Sequence, residues 1–166
     1  MGACMDNPRQ RADEARELFQ QAYRAQMRGD LERAVELYTA SIELEPTAEA
    51  YTFRGWAYSF QGDYARAIEE CHRAIEIDPE FGNPYNDIGA YLIEQGRLLE
   101  AVPWLEKAAA SPRYASPCFA KFNLGRIYER LRRLGQAEDQ YAQALKFDPR
   151  YQPAQKAIKR VRANWN

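Results

Sequence analysis

The sequence is poor in the residues that build disulfide frameworks, metal sites and acid–base catalytic sites. Its 166 residues include three cysteines and a single histidine. Cys4, Cys71 and Cys118 are odd in number and far apart, so they form neither a disulfide framework nor a zinc-binding spacing. Reduced thiols of this kind fit a reducing compartment. No apolar run is long enough to cross a bilayer, so no transmembrane segment is predicted.

The first residues, MGACMDNPRQ, lack the basic start and the apolar stretch of a secretory signal peptide. Asp6 stands where a myristoylation signal has Ser or Thr, so lipid attachment at Gly2 is not indicated. A cytoplasmic location is therefore expected, and residues 1–12 are predicted to be a flexible terminus. If the natural start lies upstream, Ala3-Cys4 fits the end of a lipoprotein signal, and a membrane-anchored form stays open.

The formal charge is nearly balanced in total, at −1, but it is unevenly divided along the chain. Residues 1–111 hold 11 Lys and Arg against 20 Asp and Glu, a net charge of −9. Residues 112–166 hold 12 against 4, a net charge of +8. A chain with an acidic first part and a basic last part is an electric dipole. This leaves a self-assembling module of a larger complex, head-to-tail or dimeric, open as an alternative function.

One segment recurs four times along the chain. The copies are GDLERAVELYTASIELEP from Gly29, GDYARAIEECHRAIEIDP from Gly62, GRLLEAVPWLEKAAASP from Gly96 and GQAEDQYAQALKFDP from Gly135, where the glycine is displaced. An alanine recurs 33, 34 and 36 residues apart: Ala34, Ala67, Ala101 and Ala137. Another small residue recurs upstream of each copy: Ala22, Gly55, Gly89 and Gly125. Repetition at this period is typical of helical repeat proteins.

Each copy predicts two helices joined by a turn. Apolar residues recur at helical spacing, as in Ala67, Ile68, Cys71, Ala74 and Ile75. The glycine of GDL, GDY and GRL separates the two helices, and Asp-Pro ends the second, because proline disfavours helical backbone in its predecessor. A single pair cannot bury its own apolar face, so the pairs are predicted to stack on one another.

The recurring residues follow the order W-x2-L-G-x2-Y, A-x3-F and P, and on these motifs the chain resembles the tetratricopeptide repeat family over about residues 15–151. The resemblance implies an all-α fold, a right-handed superhelical α-solenoid of helix-turn-helix repeats. Four repeats are expected within 13–151, at about 15–47, 48–81, 82–117 and 118–151. A C-terminal capping helix is expected at 152–166, with Ala154, Ile158, Val161 and Trp165 on one face.

The stretch Glu69-Glu70-Cys71-His72 places metal-binding and catalytic residue types side by side. Helical geometry separates them, because Cys71 occupies the core position of its repeat and His72 lies about 100° further round the helix. Glu69, His72 and Glu76 are expected on an outer, solvated face. The chain also lacks a phosphate-binding glycine loop and a Ser-His or Cys-His pair. No catalytic residue, cofactor or metal site is therefore predicted, and the protein is not expected to be an enzyme.

In the family that the chain resembles, the first helix of each pair lines a concave groove that usually takes a peptide. Counting from the recurring small residue predicts the side chains that face this groove: Phe19, Tyr23, Met27, Thr52, Phe53, Trp56, Phe60, Asn83, Asn86, Asp87, Phe122, Asn123, Arg126 and Arg130. The aromatic residues would supply contact area, or pack against neighbouring repeats. The asparagines Asn86 and Asn123 would hydrogen-bond a peptide backbone, and Arg126 and Arg130 would meet an acidic side chain or C-terminus.

The predicted function is a non-catalytic adaptor that binds a peptide or protein segment in this groove, with no small-molecule substrate. Family members that hold the acidic tails of heat-shock proteins use a lysine–asparagine–arginine clamp. The matching positions here lack the required positive charge, which disfavours that ligand: Phe19, Tyr23, Phe53, Asn83 and Asp87. The total charge of −1 argues against nucleic acid as the partner. Weak self-association stays open.

Overall fold

A computed structural model of the chain describes residues 7–164, which form nine α-helices joined by short connections. The helices are α1 (Pro8–Met27), α2 (Leu31–Leu44), α3 (Ala48–Phe60), α4 (Tyr64–Ile77), α5 (Asn83–Glu94), α6 (Leu98–Ala110), α7 (Pro117–Arg130), α8 (Leu134–Phe147) and α9 (Gln152–Ala163). Extended pairing within this range amounts to one isolated bridge between Phe81 and Arg113. The predicted all-α fold of helix-turn-helix repeats is confirmed.

Helix α1 begins earlier than the sequence indicates. Asn7 accepts a hydrogen bond from the backbone N–H of Arg9 at 3.1 Å, and Pro8 occupies the first helical position, where its fixed φ suits the helix. Residues 8–12 are therefore helical, which corrects the prediction that 1–12 form a flexible terminus. Residues 1–6 lie outside the part of the chain that the structure describes.

Positive-φ turns join the two helices of each hairpin. In the first three hairpins the turn places a glycine in the left-handed region, with φ of 82°, 79° and 76° for Gly29, Gly62 and Gly96. Residues with a Cβ atom adopt this conformation at a cost of about 1–2 kcal/mol. Glycine at this position is therefore the expected choice.

The fourth hairpin makes the same turn without a glycine. Arg132 follows the small residue Gly125 at the same distance at which Gly62 follows Gly55, and its φ is 60°. The internal repeat predicts Gly135 as a displaced turn glycine, but this residue lies within α8. The turn thus keeps its shape, and the arginine carries the conformational strain that glycine avoids elsewhere.

The chain divides into two units, residues 1–79 and residues 80–166. In unit 1, α1 packs on α2, α2 on α3 and α3 on α4. The side chain of Tyr38 is fully buried, and its hydroxyl donates to Gln26 Oε1 at 2.9 Å. The Ser41 hydroxyl donates to the backbone carbonyl of Ala15 at 2.8 Å, which fixes α2 against α1.

In unit 2, α5 packs on α6, α6 on α7, α7 on α8 and α8 on α9. Helix α9 buries Ala154, Ala157 and Val161 in the same core cluster as Tyr141. The last helix therefore covers the apolar face of the hairpin before it. Trp165, which the sequence places on this face of α9, lies outside the described residues.

The recurring small and bulky residues meet where paired helices approach most closely. Tyr141 is fully buried, and a Cβ atom at Gly125 would overlap its ring. A Cβ atom at Gly89 would overlap the Leu105 side chain in the same way. The fixed spacing of the sequence repeat is thus the spacing of the close contacts between helices, which leave no room for a larger residue.

Two of the three cysteines are buried in these cores. Cys71 has no exposed surface in unit 1, and Cys118 is 5% exposed in unit 2. Burial is the largest cause that raises the pKa of the Cys118 thiol, which disfavours the reactive thiolate. Cys4 lies outside the described residues.

Candidate functional site

The predicted groove residues all lie on the first helices of the hairpins. Phe19, Tyr23 and Met27 lie on α1; Thr52, Phe53, Trp56 and Phe60 on α3; Asn83, Asn86 and Asp87 on α5; and Phe122, Asn123, Arg126 and Arg130 on α7. Helices α1 and α3 belong to unit 1, whereas α5 and α7 belong to unit 2. Each unit therefore has its own candidate surface.

In unit 1, five of these residues form a continuous run of ring contacts, which we call the aromatic surface: Phe19, Tyr23, Phe53, Trp56 and Phe60. The Phe53 ring lies at its centre, with centroid distances of 5.3 Å to Phe19 and 5.8 Å to Tyr23. Trp56 continues the run, 5.8 Å from Phe53 and 5.3 Å from Phe60. All but the Trp56–Phe60 pair meet edge to face, a geometry that the ring quadrupoles favour.

The two ends of the aromatic surface are open to solvent. Tyr23 is 41% exposed, Phe60 is 59% exposed, and Met27, one helical turn beyond Tyr23, is 50% exposed. Phe19, Phe53 and Trp56 between them are half-buried. The two alternatives that the sequence left open therefore both apply, because the central rings pack within unit 1 and the outer side chains face solvent.

Three of the predicted groove residues are buried and use their polar groups inside the protein. Thr52 Oγ1 donates to the backbone carbonyl of Ala48 at 2.7 Å. Asn123 Nδ2 donates to Asn86 Oδ1 at 3.2 Å, and the two residues are 8% and 9% exposed. The asparagines therefore join α5 to α7 rather than presenting their amides to a peptide, which corrects the role predicted for them.

Two further predicted residues of unit 2 are partly withdrawn from the surface. Asn83 is half-buried at the start of α5. Phe122 is half-buried as well, with its ring centroid 5.4 Å from both Tyr141 and Tyr151. Phe122 therefore contributes to the contact of α7 with α8 and the start of α9.

A carboxyl group adjoins the asparagine pair. Asn86 Nδ2 donates to Asp87 Oδ1 at 3.3 Å. Burial raises the pKa of Asp87 to about 7, and the hydrogen bond from Asn86 lowers it only in part. Burial also raises the pKa of Tyr114, and the nearby Asp87 carboxylate raises it further. Among the described residues, the buried Tyr114 hydroxyl has no hydrogen-bond partner.

A cleft of about 430 Å³, which we call the arginine cleft, opens beside the turn between α7 and α8. Its lining residues are Arg126, Glu129, Arg130, Arg132 and Arg160. Arg160 donates through Nε and Nη2 to the two carboxylate oxygens of Glu129, at 2.7 and 2.8 Å. This hydrogen bonding holds the pKa of Glu129 below its usual value. Arg132 follows the predicted Arg126 and Arg130 closely in the sequence. Arg160 joins them only in the folded chain, because it comes from α9.

The repeat pattern is matched independently by known families. Models of the tetratricopeptide repeat match residues 48–81, 85–111 and 118–151. These stretches together cover more than half of the chain and correspond to the hairpins α3–α4, α5–α6 and α7–α8. The chain belongs to the tetratricopeptide repeat family.

Curated relatives of this tetratricopeptide repeat chain come from both fungi and bacteria. Small glutamine-rich tetratricopeptide repeat-containing protein 2 of Mycosarcoma maydis is 35% identical over 94 residues, which are 56% of this chain and 27% of that protein. Type IV pilus assembly protein PilF of Pseudomonas aeruginosa is 26% identical over 144 residues, 86% of this chain and 57% of that protein. The chain thus spans about a quarter of the first relative's length and somewhat more than half of the second's.

Solved structures of the family share the fold. The structure of PilF matches with a TM-score of 0.84 at 21% identity, covering 91% of this chain and 68% of that one. PilW, described as a widely conserved type IV pilus biogenesis factor, matches with a TM-score of 0.81 at 24% identity, covering 90% and 69%. At these identities the likeness concerns the fold.

A buried ion pair in unit 1 was missed by the sequence analysis. Glu70 accepts hydrogen bonds from Arg54 Nε at 2.8 Å and from Arg54 Nη2 at 3.0 Å. Arg54 Nη1 also donates to Thr39 Oγ1 at 3.0 Å, and the pair is 9% and 5% exposed. A signal was present, because Glu70 stands between Ala67 and Ala74 at spacings that place it on the buried face of α4.

The other members of the Glu69-Glu70-Cys71-His72 stretch point in different directions. Glu69 pairs with Arg73 at 2.7 Å on the surface, Cys71 lies in the core, and His72 is exposed. Within residues 7–164, no three His, Cys, Asp or Glu side chains come together as a potential metal site. In the same range, no helix combines the length and apolar character needed to span a membrane.

The raised pKa of Asp87 predicts a pH-dependent stability. Between about pH 4 and pH 7 the folded chain binds this proton more tightly than the unfolded chain, so stability falls as the pH rises through that window. Asp87→Asn is expected to raise the free energy of unfolding at pH 8 by about 2 kcal/mol and to leave it nearly unchanged at pH 4. The gain at pH 8 is about half of what the raised pKa alone corresponds to, because Asp87 is half-buried and solvent still screens its charge. Urea unfolding at both pH values measures the difference.

The exposed Asp139 offers a matched control for this measurement. Asp139→Asn is expected to change the free energy of unfolding by less than about 0.5 kcal/mol at either pH, as is usual for an exposed site. Equal effects of the two substitutions at pH 8 would show that Asp87 is not desolvated.

Proposed function

We propose that this chain is a non-catalytic adaptor that binds a hydrophobic segment of another protein on the aromatic surface of unit 1. The proposal rests on the clustering of exposed apolar side chains at this place. Tyr23, Met27 and Phe60 are 41%, 50% and 59% exposed, and they border the half-buried rings of Phe53 and Trp56. A contiguous exposed apolar patch is typical of a protein-binding surface.

The packing of the rings also favours binding. Phe53 is held by edge-to-face contacts on two sides, from Phe19 on α1 and Trp56 on α3. Side chains that are already ordered lose little conformational freedom when a partner covers them, so more of the contact energy remains for affinity. Tyr and Trp residues contribute more than their share of the energy at such surfaces. A dissociation constant of about 1 μM is expected for a flexible peptide.

The relatives support a protein-binding role as well. PilF is named for the assembly of type IV pili, and PilW is described as a factor in pilus biogenesis. Both descriptions concern the formation of type IV pili. Binding to another protein is the property that this chain would share with them.

Phe60→Ala tests the aromatic surface with the least risk to the fold, because the side chain is 59% exposed. Peptides selected by the wild-type protein from a displayed random library serve as probes, and fluorescence anisotropy gives their dissociation constants. Phe60→Ala is expected to weaken binding about 10-fold, since a hot-spot ring contributes only when a partner covers it. Trp56→Ala is expected to weaken it further, with helicity by circular dichroism retained.

Phe147→Ala is the matched control, because Phe147 is 54% exposed but lies on α8, outside the aromatic surface. It is expected to leave the dissociation constants unchanged. If Phe60→Ala binds the selected peptides as tightly as the wild type does, the aromatic surface is not their binding site.

A further inference from the structure

We propose that the arginine cleft of unit 2 is a second recognition site, which binds an acidic segment of a protein partner. The inference rests on the proposed function in one respect, that the partner is a protein. None of the residues that line the cleft is among the five positions that correspond to the clamp of the heat-shock co-chaperones. It is built instead from the end of α7, the following turn and α9.

The charges of the cleft are only partly neutralised within the protein. Arg160 is paired with Glu129, and Arg126 Nη2 donates to Glu94 Oε1 at 2.8 Å. Arg130 Nη1 donates to the carbonyl of Ile93 at 3.0 Å, which supplies no opposing charge. Arg132 is exposed and makes no side-chain hydrogen bond or ion pair among residues 7–164. Two guanidinium groups therefore face the cleft without a carboxylate partner.

The backbone of Arg132 points to a functional reason for its presence. The corresponding turn position is glycine in the other three hairpins, where φ lies between 76° and 82°. Arg132 adopts φ 60° although its Cβ atom disfavours that region. The side chain is exposed, so a ligand can reach it. Residues held in strained backbone conformations cluster at ligand-binding positions.

A carboxylate-bearing partner suits the chemistry of the cleft. Arg160 already holds Glu129 through two parallel hydrogen bonds, the arrangement in which a guanidinium group recognises a carboxylate. The last part of the chain, residues 112–166, carries a net charge of +8. The whole chain carries −1, which disfavours extended polyanions such as nucleic acids and anionic membranes. A short acidic peptide is attracted by the local positive charge, and it avoids the repulsion that a long polyanion would meet from the acidic part of the chain.

Isothermal titration calorimetry with a peptide of alternating Glu and Gly residues tests the proposal on the full chain. The counterpart peptide with Gln in place of Glu is expected to bind at least about 10-fold more weakly. Arg132→Gly is expected to weaken binding of the Glu peptide about 5- to 10-fold, while the thermal midpoint stays equal or rises because the turn is relieved of strain. Arg132→Lys keeps the charge and the strain, and is expected to retain part of the affinity.

Arg150→Gln is the matched control, since Arg150 is an exposed arginine of unit 2 outside the cleft. It is expected to leave the affinity for the Glu peptide unchanged. Equal binding of the Glu and Gln peptides, or a lower thermal midpoint together with unchanged binding in Arg132→Gly, would overturn the proposal.

Two alternative probes and one sedimentation measurement test which molecule occupies the cleft. The first probe is a single-stranded oligonucleotide and the second is phosphatidylserine vesicles. If either binds more tightly than the Glu peptide, and Arg132→Gly weakens that binding, the occupant is that probe's class of molecule and not an acidic peptide. Sedimentation of the wild type as a dimer that Arg132→Gly dissociates would assign the cleft to a second copy of the chain. Phe60→Ala is expected to retain the Glu peptide, so failure of the aromatic surface and failure of the arginine cleft are separate outcomes.

Discussion

Glu70→Ala is expected to lower the free energy of unfolding by about 3–5 kcal/mol, because it leaves the Arg54 guanidinium buried without a counter-charge. Arg54 is 9% exposed and makes two of its hydrogen bonds to Glu70, at 2.8 and 3.0 Å. The remaining bond to Thr39 satisfies one donor and supplies no negative charge. Urea unfolding followed by circular dichroism at neutral pH measures the loss.

The double substitution Arg54→Met with Glu70→Leu removes the two charges but keeps most of the side-chain volume, so it distinguishes the contribution of the ion pair from that of packing. Replacing both charges by apolar side chains of similar volume is expected to leave the stability within about 1 kcal/mol of the wild type. Arg33→Ala, at an exposed arginine that pairs with the exposed Glu36 at 2.8 Å, is the surface control, with an expected loss below about 1 kcal/mol. A loss for Glu70→Ala as small as that of the control would contradict burial of the pair.

Tyr141→Ala is expected to destabilise the protein by about 3–5 kcal/mol, the range for removing a large aromatic side chain from a core. The ring has no exposed surface, lies against Gly125 and contacts the Phe122 ring at 5.4 Å. The surroundings of such a cavity relax only in part, which adds to the loss. The midpoint of thermal unfolding and the free energy from urea unfolding both report the effect.

Tyr141→Phe isolates the hydroxyl group, which donates to Glu129 Oε2 at 2.6 Å. The expected loss is about 1 kcal/mol, because Glu129 keeps its two hydrogen bonds from Arg160. Similar losses for the two substitutions would mean that the hydroxyl contributes the stability and the ring does not.

The sequence predicts the hairpins well because their determinants are local and repeated. Each close contact needs a small residue at one fixed place and a bulky one at another, as Gly125 and Tyr141 show. Three-dimensional neighbours of this kind recur at a constant spacing, so comparing the chain with itself is enough to locate them. Glycine turns and Asp-Pro ends add boundary signals that act within a few residues.

The polar part of the candidate site depends on contacts that no periodicity encodes. Asn86 and Asn123 face each other from different hairpins, and their mutual hydrogen bond depends on how α5 and α7 pack. Counting from the recurring small residue predicts that both asparagines face the ligand, but it cannot predict that they form a hydrogen bond with each other. The same holds for Arg160, which reaches Glu129 from α9. Faces of helices follow from the sequence, whereas partners across helices follow from packing.

The left-handed backbone conformation of Arg132 could not be predicted from the sequence, for a different reason. The glycine nearest to the fourth turn in the sequence is Gly135, and it lies within α8. The backbone conformation persists because the surrounding hairpin enforces it, although the residue disfavours it. A mismatch between residue type and turn geometry becomes visible only when φ is known.

The burial of Cys71 and Cys118 affects the redox environments in which the folded protein can function. Oxidants attack thiolates that they can reach, and both sulfur atoms are covered by neighbouring helices. Burial is therefore expected to slow the oxidation of these two sulfhydryl groups in any medium. As far as these two residues are concerned, the folded chain tolerates a reducing or an oxidising environment.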